Sequence, residues 1–184
     1  MSDGINVDVN GAKPVLTDRR DYAAIAKELL EKALDDAKSQ LHPLLHNVEL
    51  HRLVHRKEFL ENFRSALERG IARKLAVWQP GVQAVFRYDE AGVQNAESWD
   101  GSIHLLVKIP RLSDTIRTLG QNLDRHLVKY LGQMARQQLP TGRSILEVHQ
   151  VTPRELRHGI GYGAMFFAVY TAPVKIWPQE QRTG

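Results

Sequence analysis

Apolar residues recur at helical spacing from Tyr22 through Ile25, Ala26, Leu29, Leu30, Ala33, Leu34 and Ala37 to Leu41, with Asp21 placed to cap them. This predicts a first helix that stops at His42-Pro43, because the residue before a proline is pushed out of the α region. Leu53, Leu60, Phe63, Leu67, Ile71 and Leu75 share one face of a second helix expected from about Leu50 to Leu75. On its other sides Lys57 with Glu61 and Arg64 with Glu68 form i,i+4 pairs, which read as a solvated surface.

After Gln79-Pro80-Gly81 the period changes from helical to two. Val82, Ala84, Phe86 and Tyr88 alternate with Gln83 and Arg87, and Ile103, Leu105, Val107 and Ile109 alternate with His104 and Lys108. These are two half-buried strands, joined by a long hairpin loop over 89–101 tipped by Trp99-Asp100-Gly101. Pro110 ends the second strand, and Ser113 is placed to cap a third helix. Its stripe is Leu112, Ile116, Leu119, Leu123, Leu127, Tyr130 and Met134, weakened by Gly120 and Gly132.

A strand over Ser144–Val151 follows. In Thr152-Pro153-Arg154-Glu155, Thr at the cap, Pro at the first helical position and Glu three residues after the cap open a short helix that Gly159 ends. The run 164–171, AMFFAVYT, is apolar on both faces as a central strand should be, and Val174–Trp177 extends the sheet beyond Pro173. The order α-α-β-β-α-β-(short α)-β predicts an α+β fold, an antiparallel or mixed sheet of about four to five strands covered by three main helices. The expected domain is 19–178, with an N-terminal arm over 1–18 and a C-terminal tail over 179–184.

Composition narrows the class. The 184 residues, 42% hydrophobic and 25% charged, match one ordinary globular domain. There is no Cys, which removes disulfides, thiolate metal sites and Cys nucleophiles. No apolar run reaches the roughly eighteen residues of a membrane span, and MSDGINVDVNG lacks the order of a signal peptide, so a cytoplasmic or virion-like location is expected, without membrane partners. The net charge is +4, and the basic excess sits in the second and third helices.

Four patterns are candidates for chemistry. On the third helix Arg111, Arg125, Lys129 and Arg136 fall within roughly 40° of one another opposite the apolar stripe, a ridge able to track phosphates, with Trp99 free to stack on bases. Arg154, Arg157 and His158 run into the glycine-rich Gly159-Ile160-Gly161-Tyr162-Gly163, which can cradle an anion, although phosphate loops place their glycines before a helix rather than before a strand. His51, His55 and Glu58 have the i, i+4, i+7 spacing of a metal site on one helix, but the order is not that of a zinc peptidase. Ile5, Val7 and Val9 alternate with polar residues as a strand able to dock on a sheet edge of a neighbouring subunit.

No Ser or Thr sits in a glycine elbow, and the paired carboxylates fall on helix surface or hairpin tip, so no catalytic residue and no cofactor is expected. By elimination, the expected function is a non-catalytic structural or assembly protein. It would form a homo-oligomer or part of a larger particle such as a ring, tube or phage-like assembly, with Trp99 at a partner-binding hairpin tip. Nucleic-acid binding through the helix ridge is the alternative. A small metal-binding protein or metal-dependent enzyme comes third.

Overall fold

The computed structural model describes residues 20–53, 56–88, 102–134, 144–169 and 172–179. Helix α1 (Tyr22–Ser39) begins where the Asp21 carboxylate accepts a hydrogen bond from the Ala24 backbone N–H at 3.0 Å, satisfying a donor that the helix start leaves open. A 3-10 turn at Pro43–Leu45 follows, then α2 (Leu50–Leu53) and α3 (Lys57–Trp78). The expected single helix over 50–75 is therefore two, with Arg56 in the extended region at φ −97°, ψ 114°. Leu53 and Phe59 are both fully buried, and on one straight helix they would point roughly 120° apart. The break lets both reach the core.

Strands β1 (Ala84–Arg87) and β2 (Ile103–Lys108) pair antiparallel, as the alternation predicts. Helix α4 (Asp114–Met134) leads to β3 (Leu146–Val151), which pairs parallel with β2. Parallel neighbours need a crossover, and α4 supplies it. Short α5 (Pro153–His158) opens on the predicted capping box. The Glu155 carboxylate accepts from the Thr152 N–H at 2.7 Å, the Glu155 N–H donates to the Thr152 hydroxyl, and Gly159 ends the helix in the left-handed region at φ 61°. Strand β4 (Val174–Trp177) returns beside β1, giving a mixed four-stranded sheet in the order β3-β2-β1-β4. The fold is α+β, with its elements in the expected sequence.

Between α5 and β4 the chain departs from expectation. Residues Gly161–Phe167 form a 3-10 helix, where a central strand was predicted over 164–171. Gly163 lies so close to α5 that any side chain there would collide with the Glu155 carbonyl, and this contact folds the segment back on the helix instead of feeding it into the sheet. The apolar residues then divide, Met165 and Phe166 turning inward while Phe167 stays 65% exposed.

The sheet separates two apolar layers of unequal size. On one face Val85, Ile103, Leu105 and Val107 join the buried stripes of α1, α3 and α4 in the main core. On the other, Tyr88, Leu106 and Val151 pack with Phe86, Leu156, Met165 and Phe166. β2 is central and buried on both sides over most of its length. Gly120, a weak helix former, sits where α4 crosses the sheet, and a Cβ there would lie 2.9 Å from Val148 Cγ2. Close helix–sheet packing explains that glycine.

Charge within α3 is less superficial than its spacing implies. Lys57 and Glu61 are an exposed pair 3.8 Å apart, but the Glu68 side chain is only 1% exposed, held at 2.8 Å by Arg64 and reached at 3.7 Å by Arg87. Arg87 occupies the helix-facing side of β1, so the buried carboxylate links α3 to the sheet.

Candidate functional site

The outer face of the sheet gathers polar groups that are far apart in sequence. Alternation turns His104 away from the main core, and the parallel register sets it beside Glu147, with Leu106 beside His149. His104 Nδ1 and His149 Nε2 each lie 3.5 Å from Glu147 Oε2. The Tyr88 ring lies 5.3 Å from the His104 ring and 6.2 Å from that of His149. Tyr162 stacks on His149 at 4.4 Å between centroids, with its hydroxyl 3.5 Å from Nε2.

His104 is 8% exposed, and its Nδ1 is buried without the alignment of a hydrogen bond to Glu147. Two imidazoles thus flank one carboxylate, with the Tyr162 phenol beyond His149. Among the described residues, however, no group of three His, Asp or Glu is arranged to hold a metal ion. The observed contacts are structural, because Tyr162 belongs to the 3-10 segment and its stack on His149 pins that segment to β3. No local pattern marks this cluster in the sequence, where His104 reads only as the polar alternate of a strand.

The same segment presents apolar surface outward. Ile160 is 49% exposed, Tyr162 37%, Phe167 65% and Val169 84%, all within 160–169. They are held from behind by the capping box, the left-handed Gly159 and the buried Gly163. The sequence pattern missed this surface, because a run that is apolar throughout reads as buried on both sides.

Arg125 and Lys129 are exposed on α4, one turn apart, but Arg111 precedes the helix, which starts at Asp114, so the ridge is shorter than its spacing implies. Arg154, Arg157 and His158 are exposed on α5. Their glycines follow the carbonyl end of that helix, where the backbone favours cations and not anions. Glu58 is exposed on α3 while His51 lies on α2, so the single helix that would align them with His55 does not form. His55, Arg136, Trp99 and the arm residues Ile5, Val7 and Val9 lie outside the described residues. Comparison with protein-family models, with curated proteins and with solved structures gives no match.

Proposed function

We propose that the protein is a non-catalytic assembly protein that associates with further copies of itself through the apolar surface of 160–169. The carrying observation is that Ile160, Tyr162, Phe167 and Val169 stay exposed on a segment anchored by hydrogen bonds, tight glycine packing and the Tyr162–His149 stack. Solvent-facing apolar groups that are rigidly placed are expected at interfaces. Covering Ile160, Phe167 and Val169 contributes in proportion to the area each still exposes, on the order of 1–2 kcal/mol each in gross transfer terms, against the ordering cost of association. The sheet offers a second route, since among the described residues β3 and β4 are its edges and Val174 on β4 is 51% exposed.

The test is absolute solution mass by light scattering. A defined multimer is expected, and Phe167→Ser combined with Val169→Ser should lower the mass while leaving the circular dichroism spectrum unchanged. A wild-type monomer throughout the micromolar range overturns the proposal.

A second reading is nucleic-acid binding through α4, supported by the exposed pair Arg125 and Lys129 on the face away from the buried stripe. Changing both to Gln, together with Arg136→Gln, should weaken DNA or RNA binding and flatten its salt dependence. An unchanged salt slope rejects this reading.

A further inference from the structure

A groove of about 360 Å³ runs between α1 and α3. The two helices cross antiparallel there, with the Tyr22 ring 5.9 Å from the Trp78 ring and Lys74 Nζ 3.1 Å from Glu28 Oε2. Leu29, Ala33, Ala66 and Gly70 make a shallow floor, and Val77 stands 79% exposed at the Trp78 end. The rim is polar and unbalanced in charge. Lys74 is answered by Glu28, which leaves Lys32, Arg69 and Arg73 against the one carboxylate of Asp36 among the described lining residues. Arg69 and Arg73 do donate, but to the neutral Ser65 hydroxyl and Gln179 amide oxygen, so their charge stays uncompensated.

The chain itself supplies an occupant of matching chemistry. Residues 1–19 precede the first described residue, Arg20, whose guanidinium lies 5.4 Å from the Trp78 ring centroid. The undescribed segment therefore joins the structure at the Trp78 end of the groove. Along α1 the groove extends from Glu28 to Asp36, about 12 Å at the helical rise. The steps from Ile5 to Val9 cover about 13 Å of extended chain. Reach is sufficient, because the chain from Arg20 back to Val9 can span up to about 36 Å, whereas Asp36 lies roughly 21 Å along α1 from Tyr22.

We propose that residues 5–9 dock in the α1–α3 groove of their own chain, with Ile5, Val7 and Val9 against Val77 and the small-residue floor and Asp8 toward the cationic rim. Alternation places the three aliphatic side chains on one face of an extended segment and Asp8 on the other. Residues 3–11 contain Asp3 and Asp8 and no cation, which complements the excess of Lys32, Arg69 and Arg73. The tether favours this occupant over a second copy, since a segment joined at the groove mouth is held there at high effective concentration. The inference is independent of the assembly reading, which rests on 160–169 and the sheet edges and on none of these residues.

The chain has no Cys, so Asn6→Cys provides a single thiol for a nitroxide label on the polar side of the segment. In the full chain labelled with ¹⁵N, selective loss of amide intensity at Ala33, Ala66, Gly70 and Val77 is expected, restored when the nitroxide is reduced. Val77→Asp should abolish the selective loss, and so, separately, should Ile5→Ser with Val9→Ser. Val77 is an exposed side chain, and dichroism spectra verify the folding of each variant. A mixture of nitroxide-bearing chain without ¹⁵N and ¹⁵N chain without nitroxide distinguishes the occupants, and no loss at the groove is expected in it. Groove loss in the mixture overturns the proposal in favour of the arm of a second copy. Loss centred on β3 or β4 overturns it in favour of strand addition at a sheet edge. Uniform loss, no loss, or groove loss that survives both sets of substitutions also overturns it.

Discussion

The Asp124 carboxylate, on the middle of α4, accepts a hydrogen bond from the backbone N–H of Leu146 at 2.8 Å, and the same oxygen accepts from Ile145 at 2.9 Å. A helix side chain thereby caps the start of β3, where both residues are buried. The contact fixes where the crossover helix delivers the strand and so helps set the β2–β3 register. Asp124→Ala leaves two buried donors unsatisfied and should cost about 2–4 kcal/mol. Asp124→Asn keeps an acceptor and should lose about half as much. Denaturant unfolding measures both, and equal stability of wild type and Asp124→Ala would refute this role.

Glu68 is the second polar group on which the fold depends. Removing its charge separates α3 from β1 electrostatically and leaves Arg64 and Arg87 facing each other, although both are partly solvated. Glu68→Gln should destabilise by about 1–3 kcal/mol. Glu61→Gln, from the exposed pair with Lys57, should stay within about 0.5 kcal/mol of wild type. Similar losses in the two variants would mean that burial of the Glu68 carboxylate carries no energetic weight.

Gly163 tests how the 3-10 segment is held. Because a Cβ there meets the Glu155 carbonyl, Gly163→Ala should lift the segment from α5 and raise amide hydrogen exchange across 160–168, while α1, α3 and α4 keep their protection. If the apolar surface needs this anchoring, the same change also reduces the solution mass. Unaltered exchange would show that the backbone approach is easily relaxed.

The Tyr162–His149 stack makes a narrower prediction. Tyr162→Phe keeps the ring and should change stability by less than about 0.5 kcal/mol, since the hydroxyl lies 3.5 Å from Nε2 at an exposed position. Tyr162→Ala removes the stack and should free the segment, giving exchange like that of Gly163→Ala. Greater damage from Tyr162→Phe than from Tyr162→Ala would assign the role to the hydroxyl.

The legible parts of the fold are those written in local terms. The Asp21 cap and the apolar stripes located α1 and α4, alternation located β1 and β2, and four consecutive residues spelled out the Thr152 capping box. What stayed hidden depends on distant partners. Glu68 has the spacing of a solvated i,i+4 pair, and only Arg87 arriving from β1 beneath it makes it interior. His104, Glu147 and His149 converge because β3 pairs parallel to β2 in one register, which no pattern within either strand specifies. For 164–171, apolarity on both faces fits a central strand and also a short helix that covers one apolar layer and shows another to solvent. Only the tight contact at Gly163 decides between them.

The placement of β4 beside β1 bears on synthesis. β1 and β2 can pair as soon as both have emerged from the ribosome, but among the described strands the far edge of β1 has no neighbour until Val174–Trp177 follows, after α4, β3 and α5 have been made. Throughout that interval the nascent chain displays an unpaired strand edge next to Val85 and Phe86, the kind of surface that chaperones cover and that seeds association between unfinished chains. Premature termination before Val174 leaves that edge permanently open, so truncated products should be markedly less soluble than the full chain even though they retain every long helix.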